Sequence, residues 1–93
     1  MKLRWMRPAL DELRRYAEEI AASSPRAAVE VIDRLIDAAE SLRDLEEKGR
    51  PIGDGLSELR IPGSRLALIY RLNASVDRLE ILRIVQAEEA WVR

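Results

Sequence analysis

The chain has no cysteine, no histidine and no phenylalanine among its 93 residues. Without cysteine there can be no disulfide, no thiolate metal site and no cysteine nucleophile. Without histidine, imidazole catalysis and the commonest metal ligand are also excluded. Any general acid–base chemistry must then come from Glu, Asp, Lys or Tyr with displaced pKa values. Aromatics are limited to two Trp and two Tyr, so the core must be aliphatic. Lysine occurs only at positions 2 and 48; the remaining positive charge is arginine. No apolar run approaches the ~20 residues that a membrane span requires. The opening Met1-Lys2-Leu3-Arg4-Trp5 is charged at alternate positions and has no apolar stretch of the signal-peptide kind. A cytoplasmic protein without a membrane partner is expected.

What is present fits one small globular domain over 1–93, with 47% hydrophobic and 35% charged residues. The net charge of −1 hides an asymmetry. Residues 1–47 hold eight basic and eleven acidic residues, whereas residues 48–93 hold eight basic and six acidic ones. An acidic first half joined to a basic second half suits a protein whose second half meets something negative.

Along the first half, Leu3 and Trp5 alternate with Lys2 and Arg4 as in a half-buried strand over Lys2 to Met6. Pro8 then opens a helix with an apolar face of Leu10, Leu13, Ala17 and Ile20. Asp11 and Glu12 read as surface charge that favours the helix N-terminus. Ser24 followed by Pro25 predicts an N-cap and first position of a second helix. That helix should run to about Glu47, on a stripe from Ala28 through Leu35 and Leu42 to Leu45. Gly49 should take its left-handed C-terminal position. The two helices form a hairpin whose apolar seam needs a sheet to cover it, with Leu35 and Leu42 at the contact.

The second half opens with Gly49 to Gly55, whose three glycines and a proline predict a wide loop. It precedes a strand and lacks a Lys-Ser/Thr ending, so it does not read as a phosphate-binding loop. Three apolar runs follow, separated by Pro62-Gly63-Ser64 and Asn73-Ala74-Ser75, and predict a three-stranded antiparallel meander. Arg60, Arg65, Arg71, Arg78 and Arg83 lie along it, against only Asp77 and Glu80 between positions 60 and 83. By simple alternation Arg83 shares a face with Leu79, Ile81 and Val85, so it must snorkel, pair with Glu58 or Glu80, or line a recessed site. The fold class is α+β, in the order β-α-α-β-β-β. No cluster of oxygen ligands at metal-binding spacing is found, and neither a metal nor a cofactor is expected. Glu46-Glu47-Lys48 and Glu88-Glu89 read as solvated charge, and no catalytic constellation emerges.

The order strand, helix hairpin and meander resembles the RelE/ParE toxin superfamily of bacterial toxin–antitoxin modules. The likeness is carried by a Trp-containing strand before PALDEL, a second helix opening SPRAA, and Gly-Arg-Pro before a Gly-rich loop. It continues through ELRIPGSRLALIYRL and VDRLEILRIV to the aromatic Trp91, so it runs from Leu3 to Trp91. The resemblance implies two alternative activities. RelE-like members cleave messenger RNA on the ribosome, and Arg60, Arg65 and Arg83 match the arginine positions of that pattern. Many also use a Tyr or His near the C-terminus, where this chain reads Val85-Gln86-Ala87-Glu88-Glu89. ParE-like members share the fold without the nuclease set and poison DNA gyrase, and the PALDEL and SPRAA helices are more similar to theirs.

The ParE-like reading is therefore expected: a non-enzymatic toxin of the plasmid-stabilization type that binds DNA gyrase. It would be neutralised, in a toxin–antitoxin hetero-oligomer, by a small antitoxin with a ribbon-helix-helix DNA-binding domain. On this reading Leu13, Ala17, Arg60, Arg65, Arg71 and Arg83 would meet the antitoxin. Arg83, Gln86 and Trp91 would meet the target.

Overall fold

A computed structural model describes residues 1–87; the expectations for Glu88, Glu89 and Trp91 fall outside them. The order is β1 (Lys2–Trp5), α1 (Arg7–Ser23), α2 (Pro25–Arg43), β2 (Arg50–Gly53), β3 (Leu56–Arg60), β4 (Leu66–Asn73) and β5 (Arg78–Gln86). The strands form one five-stranded sheet in the order β1-β5-β4-β3-β2. Pairing is antiparallel except between β1 and β5, which run parallel from Lys2 opposite Arg78 to Trp5 opposite Ile81. Among the described residues no helix is long and apolar enough to cross a membrane.

The helix hairpin forms where the sequence places it. Ser24 caps α2 by accepting a hydrogen bond from the Ala27 amide at 3.1 Å, and Pro25 occupies the first turn. Leu35, Ala39 and Leu42 of α2 are buried against Leu66, Leu68, Tyr70, Leu79, Ile81 and Ile84 of the sheet, and Ala28 is buried nearer the start of α2. Only one face of the sheet is covered by the helices, so this layer is the apolar core.

Three details here differ from the sequence reading. Segment 49–55 contributes an edge strand, β2, because Arg50 and Pro51 pair with Glu58 and Ser57 despite the glycines. Helix α2 stops at Arg43, before Glu47. The left-handed residue is Leu45, with φ of 62°, and the Leu45 and Glu46 amides donate to the Leu42 and Ser41 carbonyls in a Schellman motif. Gly49 serves close approach instead. A Cβ there would lie 2.5 Å from the Glu58 carbonyl oxygen and 2.6 Å from Tyr70 Oη, which accepts a hydrogen bond from the Gly49 amide at 2.8 Å.

Helix α1 is rotated from the expected stripe. Ala9, Glu12 and Tyr16 are buried, Leu13, Ala17 and Ile20 are half-buried, and Leu10 is 48% exposed. A carboxylate has displaced leucine from the buried face because the sheet offers it two donors, described next.

Candidate functional site

The five strands contain seven cations and two acids, and strand register places all nine on the face away from the helices. Lys2 and Arg4 alternate with the core-facing Leu3 and Trp5 and stand opposite Arg78 and Glu80. Arg71 pairs across from Glu80, Arg60 from Ala67, and Arg50 from Glu58. Arg83 joins them through a bulge: Tyr70 faces Ile81 but Ile69 faces Arg83, which leaves Leu82 as the extra residue. The inserted residue inverts the alternation beyond it. Ile84 takes the core position and Arg83 leaves the apolar row in which simple alternation put it. Among the described residues, seven of the 15 basic residues and two of the 15 acids lie on this face. Its strand residues therefore sum to +5, and the other described residues to −5.

The two acids are buried beneath the arginines. Glu80 is 1% exposed; it accepts from Arg71 Nε at 2.6 Å, from the Arg78 guanidinium and from Asn73 Nδ2 at 3.5 Å. The Arg71 and Arg78 hydrogen bonds outweigh the burial that opposes ionisation and hold the Glu80 carboxyl down at about 2. Glu58 is also buried; its Oε1 lies 3.2 Å from Arg50 and 4.0 Å from Arg60.

The third carboxylate comes from α1. Beyond Ile81 no strand among the described residues flanks the outer edge of β5, and there Glu12 Oε1 accepts from the Ile84 amide at 2.8 Å. Both Glu12 oxygens accept from Arg83 Nε, at 3.0 and 2.9 Å, and Oε2 also accepts from Nη2. Burial by itself raises the Glu12 pKa. The Arg83 hydrogen bonds, the Ile84 amide and the charges of Arg83 and Arg15 together overcome this, so the group stays below its ordinary value. Reading Glu12 as surface charge was thus incorrect, and Arg83 takes Glu12 in place of Glu58 or Glu80.

The sequence profile of the family described as "ParE toxin of type II toxin-antitoxin system, parDE" matches residues 3–91. The chain belongs to this ParE toxin family. No curated protein matches it. Among solved structures it is similar to one described as the chromosomal ParDE TA system from P. aeruginosa, with a TM-score of 0.83 and 22% identity. That match covers 95% of this chain and 97% of the other. It is also similar to the intact E. coli RelBE toxin–antitoxin complex, with a TM-score of 0.56, 18% identity and coverage of 95% and 98%. These identities establish a shared fold.

In this ParE-family chain the residues singled out from sequence do not converge on one point. Arg60, Arg71 and Arg83 share the charged face but are held by three different carboxylates, Glu58, Glu80 and Glu12. Arg65 lies in the turn before β4, where its carbonyl accepts from the Ala87 amide at 2.6 Å. Gln86 is the exposed last residue of β5, opposite Leu66. Leu13 and Ala17 lie half-buried on α1. Trp91 is outside the described residues. Among the described residues, no group of three acidic side chains is placed to hold a metal ion.

Sequence reasoning overlooked Lys2, Arg4 and Arg50 as members of the face. Alternation in β1 already carried the signal for the first two, whereas Arg50 needed the edge strand to be recognised. The arrangement is suited to electrostatic recognition by fixed guanidinium groups.

Proposed function

We propose that this toxin acts by binding DNA gyrase, and that a small antitoxin neutralises it in a cytoplasmic hetero-oligomer. The supporting observation is how its arginines are held. A nuclease needs a proton-transfer group beside the groups that stabilise phosphate charge. Here Arg83 is tied to Glu12 and Arg71 to Glu80, and both carboxyls are pushed below the ordinary carboxylate range. Such carboxylates are weak bases, and the chain has no histidine.

The antitoxin reading is supported by the family and by the two similar structures, which are described as a ParDE TA system and a RelBE toxin–antitoxin complex. Exposed Leu10 on α1 and exposed Val29 and Ile36 on α2 offer apolar contacts for an amphipathic partner helix. Leu13 and Ala17 would lie beneath that helix, and an acidic residue of the partner would reach Arg60, Arg65, Arg71 or Arg83. The antitoxin would carry the ribbon-helix-helix domain. Arg83, Gln86 and Trp91 remain the proposed contacts with gyrase.

The basic face favours one alternative, ribosome-dependent messenger cleavage with Arg60, Arg65 and Arg83 on the scissile phosphate. Two assays on the purified wild-type chain separate the readings. The gyrase reading expects supercoiling by purified gyrase to fall and no messenger cleavage on ribosomes. Ribosome-dependent cuts with unimpaired supercoiling would overturn it. In that case Arg83→Ala should cut the cleavage rate by ~10²–10³.

A further inference from the structure

Gyrase and antitoxin are both proteins; single arginines of the face away from the helices would serve them as polar contacts, but the face lacks the apolar anchors of a protein interface. Stable protein interfaces are anchored by buried aromatic and apolar side chains. On this face the apolar residues of β4, Ala67 and Ile69, are already buried, at 0% and 7% exposure. Trp5 and Tyr70 both pack into the core on the other side, and among the described residues no aromatic stands on the charged face. What the face offers is chiefly guanidinium and ammonium groups, at +4 once Glu12 is counted against Arg83, while the other described residues sum to −4.

Those cations are spread over the full width of the sheet. Four inter-strand steps of about 4.8 Å separate β1 from β2, so Lys2 and Arg4 lie roughly 19 Å from the strand that carries Arg50. A carboxylate-bearing peptide strand would satisfy one row of such a field. Duplex nucleic acid carries one negative charge per ~1.7 Å of its axis and presents roughly eleven phosphates over the same span. The guanidinium groups of Arg50, Arg71 and Arg78 are set in place by buried carboxylates and remain partly exposed, at 58, 48 and 26%. They can meet phosphate oxygens without first being ordered.

That no aromatic among the described residues stands on this face also selects the form of nucleic acid. Single strands are held by bases stacked on aromatic rings, and sheets that read RNA present such rings on their open face. This sheet does not.

We infer that the helix-free face of the sheet binds the phosphate backbone of duplex nucleic acid, without reading its sequence. The inference goes beyond the choice of protein target. It gives the toxin a second contact, to the nucleic acid itself, whichever enzyme it disables.

The test is fluorescence anisotropy of the purified full chain with a 30-base-pair DNA duplex, the corresponding single strand and poly-glutamate, over a range of salt. The duplex should bind most tightly. Its log K should fall linearly with log salt, with a slope of about −4, since each phosphate contact contributes ~−0.9. The double variant Lys2→Glu with Arg4→Glu should weaken duplex binding at least tenfold at low salt and flatten the slope by about 2. Arg26→Glu, an exposed charge reversal on α2, should leave binding within twofold of wild type. Circular dichroism of each variant verifies the fold.

Undetectable duplex binding would overturn the inference, as would tighter binding of the single strand or of poly-glutamate, or equal losses from Arg26→Glu and the β1 variant. Gyrase supercoiling measured on the same preparations keeps the two proposals apart. Inhibition without duplex binding removes this inference alone, and duplex binding without inhibition removes the gyrase reading alone.

Discussion

Replacing Glu12 with alanine removes two things that glutamine removes only in part. The wild-type carboxylate neutralises Arg83 and also accepts from the buried Ile84 amide at 2.8 Å. Alanine leaves that amide without its partner, at a cost of about 1–3 kcal/mol. Loss of the charge-assisted bonds to Arg83 adds up to ~1.5 kcal/mol. This is the low end for such bonds, because the Arg83 side chain is 55% exposed and water can take over its donors. Glu12→Ala should therefore cost roughly 2–4 kcal/mol, a large part of the ~5–15 kcal/mol that stabilises a small domain. Glutamine keeps an acceptor for Ile84, so Glu12→Gln should cost only about 1 kcal/mol.

Urea denaturation at pH 7 measures both values. Acid gives an independent check. The folded-state pKa of Glu12 is lowered, so its contribution is complete above the unfolded value of 4.5 and is lost as pH falls through the lower folded value. Wild type should therefore lose stability more steeply than Glu12→Gln below pH 4.5. Equal urea midpoints for wild type and Glu12→Ala would refute the reasoning, because α1 would then be held to β5 by something else.

Glu80→Gln should likewise flatten the loss of stability between about pH 4.5 and 2, where the wild-type carboxylate takes up its proton; an unchanged acid profile in circular dichroism would count against the buried ion pairs. Leu35 is 1% exposed beneath the sheet, so Leu35→Ala should cost roughly 2–5 kcal/mol in urea. Leu45→Gly should raise stability by about 0.5–1 kcal/mol. A left-handed leucine costs ~1–2 kcal/mol, its side chain is 77% exposed, and glycine gives back part of the gain as entropy. Gly49→Ala should destabilise by about 1–3 kcal/mol, since its Cβ would enter the space of the Glu58 carbonyl and Tyr70 Oη.

Periodicity carried most of the fold. The Ser24-Pro25 break, the α2 stripe as far as Leu42 and the three apolar runs of the meander lie where their spacing puts them. Each of these features depends on neighbours within a few residues. What spacing did not disclose depends on contacts made across the fold. The rotation of α1 follows from an amide of β5 that lies 72 positions from Glu12. The face of Arg83 follows from one inserted residue, and a single-residue slip cannot be read from a strand that is apolar at both possible registers. The early stop of α2 shows in Leu45, where a leucine occupies a position that sequence statistics assign to glycine. The charged face was half legible: Arg60, Arg71, Arg78 and Arg83 were recognised, Lys2, Arg4 and Arg50 were not, Arg65 lies in a turn, and the assignment to three carboxylates required the register.

The parallel pairing of β1 with β5 joins the first strand to the last, across the 76 positions between Lys2 and Arg78. As the chain leaves the ribosome, β1 has no partner until β5 has emerged. Through that interval Leu3 and Trp5 stay out of the core, and Glu12 has no edge amide to accept from. The β4–β5 hairpin, with its short connection, can close first, and β1 must then find the far side of β5 over a long loop. The charged face, which takes Lys2 and Arg4 from β1, is therefore the last part of the molecule to be completed. A translating ribosome carries a toxin whose basic surface is not yet assembled, and full charge complementarity begins only once β5 is in place beside β1.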